Sequence, residues 1–311
     1  MNLIDVTRTF QSDDDCLAYL ETMRWPDGIR CPICGCADVS KITRKTPSKN
    51  KRTRIYQCLE TTCKQQFSAT SGTIFADSHL PLPTWFMAIA IIVDAKKSIS
   101  ANQLMEHLGI GSYRTAWYMA HRIRKAMKAQ TFEKMTGTVE IDETYVGGKV
   151  HSKGTDGRKI KNKETVIGLK ERGGRLRLQH ITDIKAATLA KVIKENVSAD
   201  VDAVMTDDWM AYPKAFIEAG ISGRKHFSIN HSKGIYVDGM VYTNGIESAF
   251  SLLKRGMVGS FHWVSIKHLH RYLSEFEYRF NARKASDRFS LTLQSMTATE
   301  TMPYSALTAG E

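Results

Sequence analysis

The sequence predicts an α/β protein whose main sheet is preceded by a small cysteine-rich module and a helical pair. Three features carry this expectation. Strand texture begins at Gly137 and alternates with amphipathic helices to about residue 290. Five of the six cysteines crowd between positions 31 and 63. Two short helical patterns flank Gly109-Ile110-Gly111. At 311 residues the chain has length for about two domains and material for a buried core. Its 42% hydrophobic and 24% charged content is that of a soluble globular protein.

From the N-terminus the pattern divides into a helical segment (1–28), a cysteine ribbon (29–80), a helix-turn-helix region (81–130), an α/β domain (136–295) and a flexible tail (296–311). No segment reaches the ~18 apolar residues of a membrane span. The longest, Trp85 to Val93, stops at Asp94 and reads as a core helix, so no membrane partner is expected. The opening MNLIDVTRTFQSDDD has neither a basic n-region nor an apolar h-region, which points to the cytoplasm.

In a cytoplasmic chain, crowded cysteines favour a metal over disulfides. Cys31 and Cys34 in CPIC, with Cys58 and Cys63 in CLETTC, form a C-x2-C, x23, C-x4-C quartet. Two thiolate pairs on two turns can wrap one tetrahedral Zn²⁺. A module this small lacks the core to fold by burial alone, so the metal would supply its stability. Four thiolates leave no open position for water, so the zinc is expected to be structural. Cys36 is a spare that could replace Cys34, and Cys16 is expected to pack in a core.

A net charge of +12 and a pI near 9.4 favour a polyanionic partner, most often nucleic acid. The charge is clustered between Lys41 and Arg54 and between Lys149 and Arg177. In residues 98–127 a short helix, a Gly turn and a basic second helix opened by Ser112 match a helix-turn-helix, whose second helix enters the major groove. Arg114, Arg122 and Arg124 are then candidate DNA contacts. An ordinary αα-hairpin is the alternative.

Behind this region the pattern reads GTVEIDETYVGGK, then two strands joined at Gly173-Gly174, then a helix over 186–197. VDAVMTDDW, HFSIN and a helix at 245–255 follow. The order β, β, β, α, β, α, β, α is that of an RNase H-like α/β fold. Asp142 lies on its first strand, Asp207 at the end of its fourth and Glu247 on its late helix. Strands one and four can lie side by side in such a sheet, which brings the acids together. Converging carboxylates repel unless a cation offsets them, and hard oxygen ligands favour Mg²⁺ or Mn²⁺. Asp207 and Asp208 are not separable on these grounds. Glu247 has a rival role in a capping box with Asn244 as N-cap. Glu247 and Lys254, seven residues apart, fall on one line of that helix.

The motifs IDETYVGGK, TDDWMAY, NHSKGIYV and YTNGIESAFSLLKRG, followed by HLHRYLSEFEYRFN, resemble the bacterial insertion-sequence DDE transposases of the ISXO-like zinc-ribbon group. CPICG and YQC…CKQQFSATSGTIF fit the same group, and the resemblance spans roughly residues 12–290. It implies a DNA-binding front and an RNase H-like catalytic core, active on the element's terminal repeats and on target DNA. Asp142 and Asp207 match the first two acids. The third falls in TNGIES, with Glu247 expected and Asn244 the alternative, and Lys254 matches the basic partner. The C-x4-C pair departs from the usual C-x2-C. The basic loop holding Lys159, Lys161 and Lys163 fits a DNA-contacting insertion beside Asp142. Joining two DNA ends implies a homodimer or higher assembly. A non-cleaving zinc-ribbon DNA-binding regulator and a nuclease that only hydrolyses are the rivals.

Overall fold

A computed structural model describes residues 1–43, 53–128, 133–147, 163–229 and 239–309. The chain forms two compact units, Met1–Lys128 with Arg283–Glu311, and Ala129–Ala282.

The first unit opens with α1 (Leu3–Thr9) and α2 (Asp13–Arg24). Each has a capping box, Asn2 with Asp5 and Ser12 with Asp15, that satisfies N–H groups of the first turn. The ribbon follows as an antiparallel sheet of β1 (Val39–Lys41), β2 (Tyr56–Cys58) and β3 (Gln66–Phe67). Next come α3 (Leu82–Asp94), α4 (Ala101–Leu108) and α5 (Tyr113–Ala126). Gly109 ends α4 in the left-handed region at φ 62°, where glycine carries no Cβ penalty. Trp85, Phe86, Ile89, Leu104, Met119 and Ile123 are buried in this unit.

The second unit is built on a five-stranded sheet. Its strands are β4 (Thr138–Gly147), β5 (Lys163–Glu171), β6 (Leu176–Ile181), β7 (Ala203–Asp207) and β8 (His226–Ile229), in the order β6-β5-β4-β7-β8. β4, β5 and β6 pair antiparallel, while β7 joins β4 and β8 joins β7 in parallel. Parallel neighbours need crossovers, supplied by α6 (Ala186–Asn196) and α7 (Tyr212–Ala219). These helices share a core with Val139, Ile141, Ile167, Leu169 and Val204 on one face of the sheet. The other face, with Val146, Val166, Leu176 and Leu178, is covered by α8 (Asn244–Gly256) and α9 (Ile266–Asn281). Alternation along β4 therefore sends Val139 and Ile141 to the first face and Glu140, Asp142 and Val146 to the second.

Residues 283–311 depart from the expected end of the α/β domain and flexible tail. They form α10 (Arg288–Ala298) and α11 (Tyr304–Thr308), which belong to the first unit. Phe289, Leu293, Met296, Met302 and Leu307 are buried, and Thr301 N–H donates to Gly72 O. The apolar anchors after residue 296 are too sparse to show a periodicity, so only the tertiary partner reveals the segment as ordered.

Gly168 is the register partner of Asp142 on β5 and lies beneath α8. A Cβ there would stand 2.6 Å from Ile246 Cδ1 and 2.8 Å from the Phe250 ring. Gly168→Ala is expected to cost about 1 to 3 kcal/mol through overpacking. Gly223→Ala, where nothing lies within 4 Å of the added carbon, should stay within about 0.5 kcal/mol. Thermal denaturation of both variants checks the difference.

Candidate active site and metal centres

The parallel register Val139↔Val204 and Glu140↔Met205, extended by two residues, sets Asp142 beside Asp207 at the end of β7. Carboxylate oxygens of Asp142, Glu143 and Asp207 all lie within 4.8 Å of one another. Asp142 Oδ1 accepts the Glu143 N–H at 2.8 Å, and Asp207 Oδ1 accepts the Trp209 N–H at 3.3 Å. The geometry separates the two acids of TDDW, because Asp207 joins the group and Asp208 does not.

Glu143 is the residue that sequence reasoning missed. Adjacent strand residues point to opposite faces, so pattern alone places it away from Asp142. The Tyr212 hydroxyl donates to Glu143 Oε1 at 2.5 Å and holds it by the group. Burial pushes the Glu143 carboxyl up to about 7; the Tyr212 bond opposes this, and the charges of Asp142 and Asp207 add to it. Burial, with the neighbouring Glu143 charge, holds the Tyr212 phenol well above its ordinary value. Three carboxyl groups this close carry repulsion that a divalent cation would relieve. Their hard oxygen donors, on an edge that is only half buried, fit Mg²⁺ or Mn²⁺.

The third expected acid sits on α8. The rival capping box, with Asn244 as N-cap, is absent: Thr243 is the N-cap, Asn244 is the exposed first helical residue, and Glu247 Oε1 accepts the Thr243 hydroxyl at 2.9 Å. Glu247 and Lys254 are exposed, and Glu247 lies outside the 4.8 Å acid group. The apolar stripe Ile246, Ala249, Phe250 and Leu253 is buried against the sheet, as its spacing predicts.

Cys31, Cys34, Cys58 and Cys63 bring their sulfurs within 4.8 Å of one another. The Cys31–Cys63 and Cys34–Cys58 sulfur pairs are 3.7 and 3.6 Å apart. A tetrahedron with Zn–S bonds of ~2.3 Å has edges of about 3.8 Å, so the quartet fits one zinc. The Gly35 N–H donates to Cys31 O, and the Cys63 and Lys64 N–H groups donate to Glu60 O. That second turn accommodates the two extra residues of C-x4-C. Cys36 stands outside the group, its sulfur accepting the Asp38 N–H at 3.4 Å, and Cys16 is buried.

The expected DNA contacts divide. Arg114 is exposed at the start of α5, its guanidinium 5.8 Å from the centroid of the Tyr304 ring. Lys163 is exposed at the start of β5, while Lys159 and Lys161 lie outside the described residues. Arg122 and Arg124 do not face a groove, because their residues are 2% and 1% exposed. The Arg122 guanidinium donates to Ala76 O and stacks on Trp85 and Tyr118 at 5.1 and 5.3 Å. Neither Ala76 nor Trp85 belongs to α5, so the helix pattern alone could not reveal this role.

Residues 134–281 match the ISXO2-like transposase domain, and residues 11–66 match the transposase zinc-ribbon domain. An uncharacterized protein in the transposable element ISH50 of Halobacterium salinarum is 27% identical over 287 residues, covering 88% of this chain and 92% of the relative. A chain of the pre-cleavage Mos1 transpososome aligns over 68% of this chain and 75% of its own at 10% identity, with a TM-score of 0.28. The resemblance carried by IDETYVGGK, TDDW and CPIC is thus borne out, and the chain joins a transposase zinc-ribbon domain to an ISXO2-like transposase domain of the insertion-sequence transposases.

Proposed function

We propose that this transposase cleaves the ends of its own element and joins them to target DNA in a divalent-metal-dependent reaction. The observation that carries the proposal is the pairing of Asp142 and Asp207 on neighbouring parallel strands inside the matched transposase domain. The sheet order β6-β5-β4-β7-β8, with acids at the central strand and its parallel neighbour, supports an RNase H-like core. Asp142 and Asp207, with Glu247 from α8, would hold two Mg²⁺ or Mn²⁺ ions. When bound, these ions stabilise the attacking and leaving oxygens of an in-line phosphoryl displacement. The protein's own part is positioning: the strands fix two acids, and Glu247 and Lys254, on one line of α8, would address the metal and the scissile phosphate. Asn244 is the alternative third position.

DNA recognition falls to the first unit and to the basic insertion. α4, the Gly109 turn and α5 serve as a helix-turn-helix that presents Tyr113 and Arg114 to terminal repeats. Lys159, Lys161 and Lys163 are the proposed phosphate contacts of that insertion. Two copies or more assemble on the paired ends, in the cytoplasm.

Incubation with the DNA that flanks its own gene, in Mg²⁺, tests the function. Cleaved and joined products are expected. Cleaved products alone favour the hydrolysing nuclease, and binding without cleavage favours the regulator. Within that assay Glu247→Gln is expected to lower cleavage by at least about 10²-fold, with folding and DNA binding intact. Asn244→Asp should cleave at nearly the wild-type rate. The reverse ranking would assign the third position to Asn244.

The ribbon is expected to carry one zinc per chain by native mass spectrometry. Cys58→Ser should lose the ion and unfold residues 29–70, read by hydrogen exchange. Retention of zinc by that variant contradicts the ligand set.

A further inference from the structure

We infer that Glu140 and Arg172 are positioning residues that fix the N-terminus of α8, and with it Glu247, against the strand that bears Asp142. The inference rests on the proposed role of Glu247 as the third acid. Glu140 is 1% exposed, and its Oε1 accepts Arg172 Nε at 3.0 Å. Its other oxygen accepts the Ile246 N–H at 2.9 Å. Arg172 uses its remaining donors on the same segment: Nη1 reaches Met240 O and Nη2 reaches Tyr242 O, each at 2.9 Å. Its guanidinium also lies 3.7 Å from the centroid of the Tyr242 ring. One ion pair from β4 and the residue just after β5 therefore holds residues 240–246, the approach to α8 and its first turn.

Two features set this latch apart from ordinary packing. An ion pair with one buried partner, here Glu140 against an Arg172 side chain that is 18% exposed, contributes little net stability compared with apolar side chains of the same volume, so its use calls for a geometric reason. The geometric reason is adjacency. Glu140 precedes Asp142 by two residues on the same face of β4, and Ile246 immediately precedes Glu247. A single hydrogen bond thus ties the backbone beside one acid to the strand that bears another.

The first turn of a helix leaves N–H groups unsatisfied and attracts negative charge. Thr243 gives that turn no side-chain cap, and Glu140 supplies the acceptor from the sheet. Gly245 permits the approach, since a Cβ there would meet Glu140 Oε2 at 2.6 Å and Lys170 Nζ at 2.8 Å.

Two variants disturb the latch and leave every acid in place. Arg172→Lys keeps the charge but loses the planar fork, and Gly245→Ala wedges α8 away from Glu140. Leu189→Ala, on the opposite face of the sheet, is the control for lost stability alone. Mn²⁺ affinity of the full chain is read by electron paramagnetic resonance, alongside the Mg²⁺ concentration for half-maximal cleavage.

Both latch variants are expected to weaken Mn²⁺ binding about tenfold and to raise the Mg²⁺ midpoint in step, with cleavage recovered at high Mg²⁺. Leu189→Ala should lower the melting temperature without moving either midpoint. If Arg172→Lys fails to fold, Gly245→Ala decides. Wild-type metal midpoints in the folded latch variants, or an equal shift in the control, overturn the inference and leave the proposed function standing. A wild-type chain that binds no Mn²⁺ overturns both.

Discussion

The parallel pairing of β4 with β7 is the constraint on which the candidate active site depends. Parallel neighbours in register point their side chains to the same face, so Asp142 and Asp207 stand together although 64 residues intervene. A parallel neighbour requires a crossover, and α6 lies on the one that leads into β7. A one-residue slip of β7 would turn Asp207 to the α6 side and separate the acids.

The opposite face works by close approach. Gly168 and Gly245 have no side chain where a Cβ would collide with α8 or with Glu140, so the helix lies directly on β4 and β5. Ile246 and Phe250 fill the space over Gly168, and Asn281 fastens α9 to β6 through both the N–H and the carbonyl of Leu176. The sheet also brings Glu143 into the group, on a pleat that faces away from α8 and is held by Tyr212.

Much of this was legible in residue patterns. The cysteine quartet is legible because thiolate spacing maps directly onto a tetrahedral ligand set. The order of strands and helices is legible because periods of 2 and 3.6 are local. Asp142, on the first strand, and Asp207, at the end of the fourth, stood out as acids on apolar strands. What failed to show was tertiary. Arg122 and Arg124 looked like a basic helix face, yet a carbonyl at Ala76 and the ring of Trp85 take Arg122 inward. Asn244 looked like an N-cap, but α8 begins one residue earlier than that role allows and takes its acceptor from Glu140. Residues 296–311 looked like a tail because Met302 and Leu307 are anchors without a repeat. Glu143 was hidden by the alternation that makes strands readable at all.

Exchange of the donor atom at position 207 tests most directly the proposal that Asp207, beside Asp142, binds the metal. A thiolate is a poor ligand for Mg²⁺ and a better one for softer cations. Asp207→Cys is therefore expected to leave end cleavage undetectable in Mg²⁺ and to recover it in Mn²⁺, while Asp208→Cys cleaves in both. Equal activity of Asp207→Cys in the two metals, or loss of activity in both with Asp208→Cys showing the rescue, would contradict the assignment.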